Sequence, residues 1–122
     1  MSFKMIAAFT VAASMALGSA ACAHPALKST KPAANGIVSP ALKEIRFSFS
    51  EAVVPAFSGA KLTDRAGQVI PTGTARVDAK NKKELVLPLK RALTEGKYQL
   101  AWYAVAGDTH RVKGSYAFTV KK

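Results

Sequence analysis

His24 and His110 are the only histidines in the chain, and each stands in a setting that could hold a metal ion. Cutting after Ala23 would leave His24 as a new N-terminus, free to offer its α-amine and imidazole Nδ1 to one ion through a chelate ring. No internal histidine can form that ring. His110 closes the run Gly107-Asp108-Thr109-His110. If this run is extended, the Asp108 carboxylate and the His110 imidazole leave the same face; as a connecting loop it would still gather binding groups at one end of a fold. One amine, two imidazoles and one carboxylate oxygen make a tetragonal donor set that suits Cu(II), which also tops the divalent affinity order. Pro25 has no N–H, so the backbone after His24 cannot be deprotonated to wrap the ion. Protons compete for the same nitrogens, so affinity should fall as pH drops. The duller reading is that Asp-x-His is a weak motif and that a lone histidine in a small exported protein is an ordinary surface residue. What sets this pair apart is that the chain uses histidine nowhere else.

The chemistry of His24 depends on an export signal. Lys4 is the only charge in residues 1–23; an apolar run over 5–17 follows, then small residues ending Ala21-Cys22-Ala23. A basic start, a short apolar stretch and an Ala-x-Ala site describe a cleavable signal peptide. The apolar run is shorter than the roughly 20 residues that cross a bilayer. Cys22 offers an alternative, as the lipidated first residue of a bacterial lipoprotein, but Ser19 stands where such signals usually carry Leu. Mass spectrometry of the exported protein separates a free His24 amine from a lipidated Cys22.

Cleavage also changes the inventory. The 3 methionines and the 1 cysteine all lie in residues 1–23, leaving a sulfur-free domain over 24–122. With neither thiolate nor thioether it has nothing suited to Cu(I), and with no disulfide it must rest on an apolar core. Loss of Lys4 lowers the net charge from +11 only to +10. A surface this basic attracts nucleic acid or anionic lipid. Export argues against nucleic acid, and the lysines are scattered apart from Lys80, Lys82 and Lys83. A plainly solvated surface is the first reading, peripheral contact with a membrane face the second.

The elements that must position the candidate ligands read as strands. Ile45, Phe47 and Phe49 alternate with Arg46, Ser48 and Ser50, the period of a half-buried strand. Leu85, Leu87 and Leu89 repeat the pattern, as do Tyr98, Leu100 and Trp102, and Tyr116, Phe118 and Val120. Turn residues separate them at Asn35-Gly36, Asp64-Arg65-Ala66-Gly67 and Glu95-Gly96-Lys97. The polar stretch 78–83 reads as a hairpin tip, Pro71 and Pro88 as strand ends, and 41–44 or 92–95 as places for a single helical turn. About seven short strands with regular turns predict one all-β sandwich over 24–122. Its core is expected around Phe47, Phe49, Leu87, Leu100, Trp102 and Phe118. A first strand near 26–29 would put His24 at one end of the sandwich, where the loop holding Asp108 and His110 could also lie.

On these residues the chain resembles the CopC family of periplasmic copper-binding proteins, and is similar to its stand-alone YobA-type members. The resemblance runs from His24-Pro25-Ala26-Leu27 through Phe47-Ser48-Phe49-Ser50-Glu51, Phe57-Ser58-Gly59-Ala60 and Pro71-Thr72-Gly73. It continues with Gly96-Lys97-Tyr98, Trp102, Gly107-Asp108-Thr109-His110, Gly114-Ser115-Tyr116 and Phe118-Thr119-Val120. It implies a Greek-key β-sandwich or barrel of about seven strands, of the immunoglobulin or cupredoxin kind. It also implies a single Cu(II) site mapping onto His24, Asp108 and His110, and a role in copper homeostasis or resistance in the periplasm. Glu51 maps onto the glutamate of the family's Phe-Ser-Glu motif, either beside the site or simply closing a strand end. An inner-membrane copper importer of the CopD kind is the partner the resemblance suggests, for a monomeric, non-enzymatic protein. Founding members also carry a methionine-rich loop for Cu(I), which residues 24–122 lack.

Two rivals remain open. Lytic polysaccharide monooxygenases also begin with a metal-chelating histidine; release of oxidised sugars from chitin or cellulose would favour that class. A metal-free sandwich that binds a protein partner would show only weak Cu(II) binding, unaffected by an extra N-terminal residue.

Overall fold

The structure, a computed structural model, describes residues 25–107 and 109–122. Strict alternation of side chains builds its longest strands. In β3 (Glu44–Phe49), Ile45, Phe47 and Phe49 are buried while Arg46 and Ser48 turn outward. In β8 (Gly96–Val105), Tyr98, Leu100, Trp102 and Ala104 are buried between exposed neighbours. It pairs antiparallel along its whole length with β9 (Arg111–Val120), which buries Phe118 and Val120. All six expected core residues are buried. The aromatics meet across the two layers, with Trp102 edge-on to Phe49 at 5.5 Å, and within the larger sheet, where Tyr98 stacks on its register partner Phe118 at 5.8 Å.

Two sheets close on this core. One holds β1 (Leu27–Lys31), β3, β7 (Asn81–Pro88) and β6 (Arg76–Asp78), in the order β1-β3-β7-β6. The other runs β2-β9-β8-β4-β5, with β2 (Ile37–Val38), β4 (Gly59–Asp64) and β5 (Val69–Ile70). The described residues thus form the expected sandwich, and its strands number nine rather than about seven. The additional two, β2 and β5, are two-residue edge strands too short to show a period. Asn35, at φ 60, turns the chain so that β2 lies parallel to β9, Ile37 beside Thr119. Asp64 accepts hydrogen bonds from the Ala66 and Gln68 N–H groups and Gly67 takes φ 82, which closes the tight β4 to β5 turn.

Three local expectations change. The hairpin tip is tighter than 78–83, because Asn81 already pairs with Asp78 and the three following polar residues lie in β7. Polar composition there marks a solvated strand. Neither 41–44 nor 92–95 is helical: Glu44 opens β3, and Leu93 is drawn into the core. Isolated single turns have little intrinsic stability. The one helical turn described is a 3-10 turn at Pro55–Phe57, where proline's fixed φ suits the first helical position.

Val86 breaks the alternation in β7, since Leu85, Val86 and Leu87 are all buried. Val86 lies between Arg46 and Arg76 in register, and their aliphatic stems can cover it. The Arg46 guanidinium reaches Glu44 and Asp78 at 2.8 Å each and Glu84 at 3.1 Å. Its hydrogen bond holds the Asp78 carboxyl below the ordinary aspartate range. A depressed folded pKa contributes stability that is fully present above the unfolded value of about 3.9 and is lost as pH falls through the folded one. Arg46→Met would leave three carboxylates together without their shared cation. Urea unfolding should therefore show its penalty largest near neutral pH and shrinking toward pH ~3, as the carboxylates protonate.

Gly114 lies opposite Trp102 in the β8 to β9 ladder. A Cβ there would sit 2.7 Å from the indole Cζ2 and 2.9 Å from Cε2. The ring is rigid and packed against Phe47 and Phe49, so it has little room to yield. Gly114→Ala should cost about 1–3 kcal/mol in chemical denaturation, the usual range for an overpacked core.

Candidate metal centre

The chain immediately after His24 is firmly held. Pro25 is fully buried. The Ala26 N–H donates to Ser50 Oγ at 2.9 Å, and the Ser50 N–H donates back to the Ala26 carbonyl at 2.8 Å. Leu27 then pairs with Phe49, and the register shifts before Ser29. The start of β1 is therefore fastened to the end of β3.

From that point residues 50–58 thread between the two sheets. The Val53 N–H donates to the Lys82 carbonyl at 3.1 Å, while Val53 also bridges Ala106. The Val54 N–H donates to the Val105 carbonyl at 2.8 Å. Ser58, a buried hydroxyl, donates to the Val54 carbonyl and accepts the Val105 N–H. This thread joins the start of β1 to the end of β8, and so gathers residues 25–27, 50–54, 105–107 and 109–111 at one end of the sandwich.

The connection from β8 to β9 is a loop. The Thr109 N–H donates to the Ala106 carbonyl at 3.0 Å, and Thr109 adopts φ 71. A β-branched residue in the left-handed region is strained by about 1–3 kcal/mol, and such strain concentrates at functional sites. At Thr109 the extended reading of this run thus gives way to the loop reading. His110 is exposed in this loop, just before Arg111, whose guanidinium lies 4.5 Å over the Tyr103 ring. Glu51 is exposed on the thread between Ser50 and Val53.

Of the candidate ligands, the structure describes His110 and the adjunct Glu51, and brings their segments to the same end. His24 and Asp108 lie outside the described residues, as does the signal-peptide segment 1–23. Among the described residues, no three His, Cys, Asp or Glu side chains gather as a metal cluster. The donors available at this end are imidazole and carboxylate, which fit a borderline ion such as Cu(II) and not a soft one. The thread through Ser50, Val53 and Ser58 was not legible as site architecture; its only trace is Phe57-Ser58-Gly59, where a serine beside apolar and small residues could mark a buried hydrogen bond. Nothing in the residue types announces the left-handed Thr109.

The CopC domain family matches residues 27–121. Protein YobA of Escherichia coli K12 is 40% identical over 99 residues, which cover 81% of this chain and 80% of that one. Copper resistance protein C of Xanthomonas campestris pv. juglandis is 38% identical over 125 aligned positions, covering 98% of each. Among solved structures, that of PcoC, a methionine-rich copper resistance protein from E. coli, superposes with a TM-score of 0.73 at 38% identity. It covers 81% of this chain and 100% of that one.

Proposed function

The chain belongs to the CopC family, and from that premise we propose that it is a periplasmic Cu(II)-binding protein of copper homeostasis and resistance. After removal of residues 1–23, His24 anchors one copper ion through its α-amine and Nδ1. His110 adds an imidazole nitrogen and Asp108 a carboxylate oxygen that offsets part of the ion's charge. Glu51 stands beside the site, where it adds negative charge near the ion. The observation that carries this reading is the thread through residues 50–58. It fastens Pro25 and Ala26 to the same end of the sandwich as the β8 to β9 loop with His110. Ligands about 80 residues apart in sequence can then share one ion without reorganising the fold, which is the preorganisation a tight site needs.

The donor set separates this chain from its methionine-rich relative. Residues 24–122 contain neither methionine nor cysteine, so the protein handles cupric ion alone, without a Cu(I) relay. It works as a monomer that sequesters copper or passes it to an inner-membrane importer of the CopD kind. A carboxylate completing the ligand plane favours holding Cu(II) over activating oxygen, so the role is binding rather than catalysis.

Electron paramagnetic resonance of the processed protein with one equivalent of Cu(II) tests the assignment. The expected spectrum is tetragonal, with three nitrogens and one oxygen. A spectrum with two nitrogens, or one unchanged by His110→Ala, would remove the second end of the chain from the site.

A further inference from the structure

The outer faces of the two sheets differ in electrical character. On the four-stranded sheet, Glu44, Asp78 and Glu84 are matched by Arg46 and Arg76. On the five-stranded sheet, the register turns Lys61, Lys97, Arg111 and Lys113 outward. By register no described Asp or Glu takes an outward position in those five strands; Asp64, at the end of β4, borders a depression with Lys97, and its carboxylate is engaged by the Ala66 and Gln68 N–H groups.

The same face carries unusual apolar exposure. Ile37, Phe57, Val69 and Tyr103 are 69%, 65%, 57% and 37% exposed, and they are all of the large exposed apolar side chains among the described residues. Each belongs to this sheet or to the 3-10 turn that leads into β4. Ile37 is on one edge strand and Val69 on the other; Phe57 is at the end next to Tyr103 and Arg111. Two open depressions of about 530 and 520 Å³ share Tyr103 and Arg111 as walls.

We propose that this face docks on an anionic lipid surface, its four cations over the headgroups and its separated apolar side chains entering the interfacial layer. Basic residues interleaved with aromatic and aliphatic ones are the composition of surfaces that rest on anionic bilayers. A protein partner would call for a concentrated apolar hot spot in a central pocket, whereas here the apolar groups stand around the perimeter of a shallow face. A second copy fits poorly. Two such faces repel each other, and the acids of the opposite sheet are already engaged by Arg46 and Arg76. No helix among the described residues is long and apolar enough to cross a membrane, so the contact is peripheral. The proposal rests on the surface alone and is independent of copper.

Co-sedimentation with vesicles of phosphatidylglycerol and phosphatidylcholine in equal parts, and of phosphatidylcholine alone, tests it. The protein should bind the anionic vesicles only, and less as salt rises. Lys61→Glu with Lys113→Glu should weaken binding by about thirtyfold or more, at about fivefold per lost cation. Lys82→Glu with Lys83→Glu makes the same change in net charge on the exposed β6 to β7 hairpin and should cost less than about fivefold. Phe57→Ser, with charge unaltered, should cost about tenfold from lost apolar insertion. Equal losses from the two charge variants, or undiminished binding by Phe57→Ser, would overturn the assignment to this face. Failure to bind anionic vesicles, or equal binding to neutral ones, would overturn the lipid as occupant. So would a concentration-dependent dimer in sedimentation velocity that the Lys61→Glu, Lys113→Glu pair abolishes, which would make a second copy the occupant.

Discussion

A single extra residue ahead of His24 should lower the Cu(II) affinity of the processed protein by on the order of a hundredfold or more. A four-ligand site for a divalent ion binds with about 10–16 kcal/mol, so one ligand accounts for about 3 kcal/mol. The extension does more than delete a donor. It turns the amine into an amide, which does not coordinate without losing its own proton, and it opens the chelate ring that pre-positions the His24 imidazole. Side chains, charge and core all remain as they were. Calorimetric titration of the two forms at one pH reads the effect directly. Equal affinities would take the amine out of the site, whatever else binds copper. Lowering the pH should weaken the processed form further, because protons compete with copper for the amine and both imidazoles.

The strands and core were largely legible in the sequence because a two-layer sandwich imposes a period of two on every long strand. Ile45, Phe47 and Phe49, or Tyr98, Leu100 and Trp102, have one side facing the core and one facing water, and their burial follows. The alternation failed where a second influence acted. Val86 is outward by register yet buried, because a long-range network of guanidinium and carboxylates lies above it. Lys82 and Lys83 are strand residues of polar composition, since a hairpin edge in water needs no apolar face. β2 and β5, of two residues each, have no period to read.

At the candidate site the residue types were informative and their arrangement was not. Histidine scarcity and the Ala-x-Ala run before His24 drew attention to His24 and His110. What joins the ends is a backbone thread, in which Val53 and Val54 hydrogen-bond to Lys82 and Val105. Backbone bonds of that kind use atoms that every residue shares, so they leave no mark on side-chain identity. Thr109 illustrates the same limit. Its left-handed φ contradicts its own β-branched preference, so the residue types left a strand end and a connecting loop equally open.

Copper should stabilise the fold, and His110→Ala should abolish most of that stabilisation while leaving appreciable copper binding. The reason lies in the unfolded state. An unfolded processed chain still begins with histidine, so it keeps the amine and Nδ1 chelate and still captures Cu(II). Linkage then depends on how much more tightly the folded state binds than the unfolded one. In the proposed site that difference comes from Asp108 and His110, ligands supplied from far along the chain. If they make the folded site about a thousandfold tighter, saturating copper adds about 4 kcal/mol. For a domain of this size that raises the melting temperature by roughly 20 °C. In His110→Ala the two states bind more nearly alike, and the shift on adding copper should fall to a few degrees. Differential scanning calorimetry with and without one equivalent of Cu(II), on parent and variant, measures both. A shift of equal size in the variant would mean that His110 is not a ligand and that other groups, assembled only by folding, make the folded site tighter. No shift in either protein, with affinity intact, would mean that the chelate alone carries the copper and the fold merely presents it.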